Sequence, residues 1–311
     1  MASKRSRAHG SRRWSCTRRS SVWPRSSSPP TGSQEYNAGL PAGAGIEERM
    51  SHVAKLKTGV MLESFREPVP ESLDLAVEVG ASGFQMYAVS GDLHPDAMSA
   101  ERRAAFRDRV AEKGLEITAL CSEMGGYTEA SRIEEYVDTT TRIMDLAVDL
   151  GPRIVTAHIG AIGESPREPA WTAVAEVLER IGQHGDEVGC VFACETGLDE
   201  PALLRKFIDS LETQSIRINY DPANLVMMGF DPVAGLEHLG DLVVHTHAKD
   251  GVRHPDGRAE EVPLGTGQVP WREYVAALTA RGYDGYYTIE REVGDNPRAD
   301  IEAAVAFLAS L

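Results

Sequence analysis

The chain has 311 residues, of which 42% are apolar and 25% charged, and its formal net charge at pH 7 is -15. No apolar stretch approaches the roughly 20 residues of a membrane-spanning helix, and the acidic total disfavours a nucleic-acid binder, because contacts to phosphates require clustered Lys and Arg. The sequence therefore predicts neither a membrane partner nor a nucleic-acid partner. Its four cysteines are too few and too unevenly spaced for a disulfide framework, which favours a reduced cytoplasmic protein.

The charge is unevenly distributed along the chain. Residues 1–50 contain nine Lys or Arg and three Glu, a formal charge of +6, which leaves -21 for the remainder. This first segment is rich in Arg, Ser and Pro and has no apolar periodicity, so it cannot bury enough surface to offset its chain entropy. We predict a disordered extension over 1–50 and one folded catalytic domain over 51–311. An alternative is that Met50 is the native start, since MSHVAKLKTGVML leads directly into the first predicted strand.

From residue 56 onward, short apolar runs alternate with amphipathic segments. The apolar runs predict eight strands, at 56–62, 83–89, 115–120, 153–158, 190–195, 216–221, 242–247 and 286–290. The segments between them carry apolar residues at helical spacing; one example comprises Ile133, Tyr136, Val137, Thr140, Ile143, Met144 and Ala147. Glycines that follow several of these segments, such as Gly80 and Gly151, fit C-terminal helix caps.

The strand pattern favours a parallel sheet covered on both faces, because its apolar runs are nearly continuous rather than alternating. Eight strand-helix units over one domain predict a closed (β/α)8 TIM barrel. An open doubly wound sheet is the alternative. It would carry a glycine-rich nucleotide-binding turn after the first strand, where this chain has MLESF at 61–65.

In a TIM barrel the functional side chains lie at the carboxyl ends of the strands. The fourth to eighth predicted strands end at polar residues, which are His158, Glu195, Asp221, His247 and Glu290. A single carboxylate at such a position is usually a helix cap or a solvated loop residue. Three carboxylates brought together would repel one another unless a cation lay among them. Three carboxylates and one imidazole suit one divalent ion, Mn²⁺ first and Mg²⁺ or Co²⁺ as alternatives.

Four motifs strengthen this interpretation: DPAN at 221–224, HTHAKD at 245–250, PLGTG at 263–267 and TIE at 288–290. Together they resemble the xylose isomerase-like TIM barrels of the sugar phosphate isomerase/epimerase superfamily, and the resemblance covers 56–311. It implies that Glu195, Asp221, His247 and Glu290 hold the metal ion. It also implies that Glu195 and Glu290 act as the catalytic acid and base.

The resemblance also indicates where a substrate would bind. It places His158 beside the substrate and Arg253 where some epimerases have a substrate-binding arginine. Where many epimerases have the histidine of an Asp-x-x-His motif, this chain has Asn224. Lys249 is a further candidate that would orient the substrate or a ligand, although a salt bridge within a loop explains it equally well.

This set of residues supports proton abstraction next to a carbonyl. A divalent ion polarises the carbonyl and stabilises the enediolate that forms when the adjacent carbon loses its proton. We therefore predict a metal-dependent sugar isomerase or epimerase whose partner is a small sugar or sugar derivative. The resemblance is compatible with a homo-oligomer, although the sequence does not define the oligomeric state. One alternative is a lyase of the same fold, an inosose dehydratase or an enzyme that cleaves 3-keto-glycosides or C-glycosides. A second alternative is a non-catalytic metal-binding barrel.

Several neighbouring residues have two interpretations. His245 is either the ligand in place of His247 or a neighbour inside the barrel, and Glu292 is the alternative to Glu290. The turn at 265–267 either offers N–H groups to a phosphate or sugar hydroxyl, or simply precedes a helix. The ends of the first three strands carry polar residues that either contact substrate or serve the structure; these are Glu63, Gln85, Tyr87 and Glu123.

Overall fold

The structure, a computed structural model, describes residues 55–311. The predicted disordered extension at 1–50 lies outside the described residues, as do the first residues of the predicted domain. Within the described part, eight parallel strands close into a barrel. The TIM barrel predicted from the sequence is confirmed.

Each predicted strand corresponds to one strand of the barrel. The barrel strands are β1 (Lys57–Met61), β2 (Gly83–Tyr87), β3 (Glu116–Cys121), β4 (Ile154–Ala157), β5 (Val191–Glu195), β6 (Ile216–Tyr220), β7 (Val243–Ala248) and β10 (Tyr286–Ile289). Around the barrel they are hydrogen-bonded in the order β1-β10-β7-β6-β5-β4-β3-β2. A separate antiparallel hairpin follows β7 and consists of β8 (Asp250–Arg253) and β9 (Ala259–Val262). The apolar runs do not predict this hairpin, because its two strands, DGVR and AEEV, are short and largely polar.

The helices pack around the barrel as the apolar periodicity predicts. They are α1 (Val69–Glu78), α2 (Ala100–Glu112), α3 (Ile133–Leu150), α4 (Pro169–Val188), α5 (Pro201–Ile208), α6 (Pro222–Met228), α7 (Gly235–Leu239), α8 (Trp271–Ala280) and α9 (Pro297–Leu308). Four of them begin at a proline, which fits the first turn because its missing N–H would have no intrahelical partner there. At the end of α3, Gly151 has a φ of 110°, a left-handed conformation that favours glycine.

The barrel interior is polar near its carboxyl end. Along β7, His245 and His247 point inward, and the intervening Thr246 reaches outward to the hydroxyl of Tyr274 on α8 at 2.7 Å. Apolar side chains of the strands pack against the helices and form the main core. The alternation of a strand thus separates the two environments, and places the polar residues of β5, β6, β7 and β10 around one mouth.

None of the helices within 55–311 is both long and apolar enough to span a bilayer.

Candidate metal centre

Four side chains converge at the carboxyl end of the barrel. Glu195 ends β5, Asp221 follows β6 as the N-cap of α6, His247 lies in β7, and Glu290 follows β10. All four are buried, and one potential ligand atom from each lies within 4.8 Å of the others. The Nδ1 atom of His247 is 3.4 Å from Glu195 Oε1, 3.7 Å from Asp221 Oδ2 and 3.3 Å from Glu290 Oε2.

Two of these atoms are buried without a hydrogen-bond partner among residues 55–311: Asp221 Oδ2 and His247 Nδ1. The other ends of the same side chains are anchored. Asp221 Oδ1 accepts the N–H groups of Ala223 and Asn224 at 2.8 and 3.0 Å, and His247 Nε2 is 2.9 Å from Gln85 Oε1. Burying bare polar atoms is costly, so their convergence fits a bound cation. Oxygen ligands with one imidazole suit a divalent ion such as Mn²⁺ or Mg²⁺.

Two amides hold the candidate ligands in place. Gln85 donates from Nε2 to Thr156 Oγ1 at 2.7 Å, so its Oε1 is left to accept the Nε2–H of His247. That hydrogen bond leaves the lone pair of His247 Nδ1 facing the carboxylates. Asn219 donates from Nδ2 to Glu195 Oε2 at 3.2 Å. Sequence reasoning missed Asn219, although it lies in β6 only two residues before Asp221, a spacing that places both side chains on the same face of an extended chain.

His158 bridges two carboxylates at the edge of the group. Its main-chain N–H and its Nδ1 each lie 3.0 Å from Glu123 Oε2, and its Nε2 lies 3.3 Å from Glu195 Oε1. Burial lowers its pKa, but the charges of Glu195 and Glu123 outweigh burial and raise the pKa of His158 to about 10. The imidazole is therefore protonated at neutral pH in the absence of a metal ion.

Lys249 also enters the group. Its buried Nζ is 2.9 Å from Glu290 Oε2 and 3.9 Å from Asp221 Oδ2, and it contacts Glu292 as well. Burial disfavours the ammonium form, but the charges of Glu290 and Asp221 raise the pKa of Lys249 well above its ordinary range. A cation thus faces Glu290 from one side, as His158 faces Glu195.

Comparison with known proteins identifies the family to which the chain belongs. The family described as xylose isomerase-like TIM barrel matches residues 73–311. The chain belongs to this family. Inosose dehydratase from Lacticaseibacillus casei is 26% identical over an alignment of 142 residues, which covers 39% of this chain and 47% of that protein.

Solved structures with the xylose isomerase-like fold cover most of the chain. A xylose isomerase domain protein from Planctomyces limnophilus has a TM-score of 0.70 and 26% identity, over 82% of this chain and 97% of that one. The 3-keto-D-glucoside 4-epimerase of E. coli has a TM-score of 0.66 and 19% identity, over 83% and 100% of the two chains. At 19% identity the likeness shows the fold alone.

The residues predicted to contact substrate lie at different distances from the four candidate metal ligands of this xylose isomerase-like barrel. His158 and Lys249 contact its carboxylates, as described above. Asn224 donates from Nδ2 to Glu195 Oε1 at 3.1 Å and to the carbonyl of Thr196 at 3.3 Å, so it is a direct neighbour of the group. Arg253 lies in β8, where its Nη1 donates to the carbonyl of Met227 at 2.6 Å. Its guanidinium is thereby held against the end of α6.

The structure distinguishes the alternative residues in two pairs, His245 from His247 and Glu292 from Glu290. His245 lies deeper in the barrel than His247, with Nδ1 2.9 Å from Asn219 Oδ1 and Nε2 3.2 Å from Thr288 Oγ1. Burial lowers its pKa well below the ordinary value. The side chain of Glu292 is 58% exposed and contacts Lys249 from the solvent side. Neither His245 nor Glu292 is among the four converging residues.

The turn at 265–267 has its N–H groups occupied. Gly265 and Gly267 donate to Asp250 Oδ2 at 2.9 and 3.1 Å. The N–H of Val269 and the indole Nε1 of Trp271 also donate to this carboxylate, at 3.2 and 3.3 Å. These donors fix the loop before α8 to the start of the hairpin. The structural interpretation of the turn therefore holds, and the interpretation as a binding site for phosphate or a sugar hydroxyl is not supported.

Proposed function

We propose that this chain is a divalent-metal-dependent enzyme that epimerises or isomerises a sugar or keto-sugar derivative by proton transfer next to a carbonyl. The observation that carries the proposal is the convergence of three carboxylates and one imidazole, two of whose facing atoms have no hydrogen-bond partner within 55–311. Glu195, Asp221, His247 and Glu290 would hold the ion. When bound, the ion would supply Lewis-acid polarisation of a carbonyl, which is worth several kcal/mol.

Glu195 and Glu290 are the proposed acid and base. They come from strands separated by β6 and β7 in the barrel, so they flank the group from two sides. Each has a cation at hydrogen-bond or near hydrogen-bond distance: His158 Nε2 at 3.3 Å from Glu195, and Lys249 Nζ at 2.9 Å from Glu290. The ammonium of Lys249 and, when it is protonated, the imidazole of His158 each favour the carboxylate form of the glutamate that they face. Two acid/base groups on separate strands support removal of a proton from carbon by one glutamate, as a carboxylate, and delivery of a second proton by the other, as its conjugate acid.

The comparisons support a carbohydrate substrate. The matched family is named for xylose isomerase, and one relative is named inosose dehydratase. The substrate would bind at the mouth of the barrel, where His158, Asn224 and Lys249 surround the proposed acid and base.

Proton exchange in deuterated water tests the proposal. The full chain, loaded in turn with Mn²⁺, Mg²⁺ and Co²⁺, is incubated with ketoses, inososes and 3-keto-glycosides, and deuterium uptake next to the carbonyl is followed by NMR. We expect uptake with at least one sugar, and a loss of at least about 100-fold in Glu290→Gln and in Glu195→Gln. The exposed Glu67→Gln is the matched control. Wild-type turnover together with wild-type metal content in Glu290→Gln would show that the site assignment is wrong.

A lyase is the second candidate, because the relative from Lacticaseibacillus casei is named inosose dehydratase. Both reactions begin with loss of the same proton, so the exchange experiment does not separate them. The products do: a dehydrated or aglycone product identifies a lyase, and an interconverted sugar of unchanged mass identifies an isomerase or epimerase. Metal binding without exchange on any substrate would favour the non-catalytic barrel.

A further inference from the structure

Glu63 presents a bare carboxylate oxygen at the mouth of the barrel. It lies in a short 3-10 turn, Leu62–Phe65, directly after β1. Its Oε1 accepts the N–H of Tyr87 at 2.9 Å, whereas its Oε2 is buried and has no hydrogen-bond partner in the described part of the chain. Within that part only five buried side-chain atoms share this condition, and two of them are the facing atoms of Asp221 and His247. Burying an unpartnered carboxylate oxygen is costly, which is a reason to expect a ligand there.

Tyr87 stands beside Glu63 at the end of β2. It is two residues beyond Gln85, whose side chain reaches His247, so Tyr87 faces the same interior one layer nearer the mouth. Its hydroxyl makes no hydrogen bond to any of the residues from 55 to 311. Burial and nearby acids, Glu290 among them, raise its pKa, so the hydroxyl remains protonated. Tyr87 therefore offers one neutral donor and acceptor.

The charges at this side of the mouth favour a neutral ligand. The ammonium of Lys249 is already bound by Glu290 and Glu292. The guanidinium of Arg291 is paired with two carboxylates, one on β9 and one on α9. Arg66 lies on the exposed rim, where it donates to two main-chain carbonyls of the loop before α9. An anionic group placed between the strand ends would thus face carboxylates rather than an unpaired buried cation.

We propose that Glu63 and Tyr87 form a hydroxyl-binding edge that receives a neutral polyhydroxy substrate away from its reacting carbon. Glu63 Oε2 accepts a hydrogen bond from one substrate hydroxyl, and the Tyr87 hydroxyl pairs with another. The edge lies on β1 and β2, across the barrel from β5, so it would hold the end of the substrate remote from Glu195. This inference rests on the proposed function only in placing the substrate at the mouth.

Binding of non-reacting polyols tests the edge without requiring turnover. Mn²⁺-loaded full chain is titrated with myo-inositol, D-sorbitol and xylitol, and dissociation constants are measured by ligand-observed NMR. Glu63→Gln keeps an acceptor for the Tyr87 N–H but replaces the bare oxygen with an amide group. Tyr87→Phe removes only the hydroxyl. We expect binding of at least one polyol to weaken about tenfold in Glu63→Gln and about fivefold in Tyr87→Phe, which are the losses typical of one hydrogen bond.

Two controls separate binding from stability. Glu67→Gln makes the same charge change on an exposed residue and should leave the dissociation constant unchanged. The unfolding temperature of Glu63→Gln should not fall, because a neutral amide costs less to bury than an unpartnered carboxylate. A residue with a purely structural role would show the reverse pattern, with lower stability and unchanged polyol binding.

Other outcomes would overturn the inference. These are wild-type polyol affinity in both variants, no saturable polyol binding by the wild type, or tighter binding of myo-inositol 1-phosphate that is lost in Arg66→Ala. Failure of the proposed function looks different, since polyol binding that depends on Glu63 would then persist without any proton exchange. Conversely, proton exchange with an unchanged KM in Glu63→Gln would refute the edge and leave the function intact.

Discussion

The arrangement of the four candidate metal ligands depends on side chains that are not themselves candidate ligands. Gln85 is the clearest case, because its amide is fixed by Thr156 on one side and accepts from His247 on the other. An imidazole whose Nε2–H is held in this way presents Nδ1 to the carboxylates without reorganisation. Folding of the barrel therefore already orients these side chains, so that metal binding requires little further reorganisation.

We expect Gln85→Leu to weaken Mn²⁺ binding by about 10–100-fold, the usual effect of removing a group that orients a histidine ligand. The substitution keeps a similar volume but removes the acceptor for His247 Nε2. The dissociation constant is measured by calorimetric Mn²⁺ titration. Gln183→Leu, on the exposed face of α4, is the matched control. Equal affinity in the two variants would show that Gln85 does not orient His247.

A second residue-scale prediction concerns Asp199, which lines a groove with His158 and Glu195. Burial raises its pKa from 3.8 to about 6, partly offset by the N–H of Ile162. Between about pH 4 and 6 the folded state therefore binds more protons than the unfolded state, so stability falls as pH rises through this window. Asp199→Asn removes the effect.

We expect Asp199→Asn to match the wild type below pH 4 and to exceed its unfolding free energy by about 1–2 kcal/mol above pH 6. The upper limit is reduced because Asp199 is partly exposed to solvent. Urea unfolding at a series of pH values measures the difference. A constant offset at all pH values would show that hydrogen bonding, not ionisation, determines the effect of the substitution.

At the scale of elements, the sequence predicts the repeated strands and helices of the barrel but not the structure of individual loops. The eight barrel strands follow from apolar runs, and their polar last residues indicate which side chains converge. The β8–β9 hairpin is not predicted from the sequence, because its short polar strands show no apolar periodicity. Which carboxylate oxygen is anchored and which is bare depends on register and rotamer, so the contrast between the two oxygens of Glu63 is visible only in the structure.

Asp250 connects three parts of the chain. Its carboxylate accepts N–H groups from the β8–β9 hairpin, the turn at 265–267 and the start of α8. Asp250→Ala leaves several buried donors without an acceptor. We expect a loss of about 3–5 kcal/mol in unfolding free energy, measured by urea denaturation. The exposed Asp295→Ala should change stability by less than about 0.5 kcal/mol. A similarly small loss in Asp250→Ala would mean that the loop is held mainly by its apolar contacts.

At the scale of the whole molecule, the net charge of -15 combines a basic first segment with an acidic remainder of -21. Part of that negative charge has a specific location, because three carboxylates meet at the mouth and others surround it. Like charges so close together oppose folding, and a bound cation relieves the repulsion. Metal binding and stability should therefore be linked in this barrel.

Deleting residues 1–49 should leave the barrel and its metal affinity unchanged. All eight barrel strands lie between Lys57 and Ile289, and α9, which ends at Leu308, packs against β1 and β10. The first segment has too few apolar residues to add much core. We therefore expect the unfolding temperature of the truncated chain to lie within about 1 °C of that of the full chain. Saturating Mn²⁺ should raise the unfolding temperature of both chains by the same amount. A lower unfolding temperature in the truncated chain, or a smaller gain with Mn²⁺, would show that the basic segment contributes to the acidic barrel.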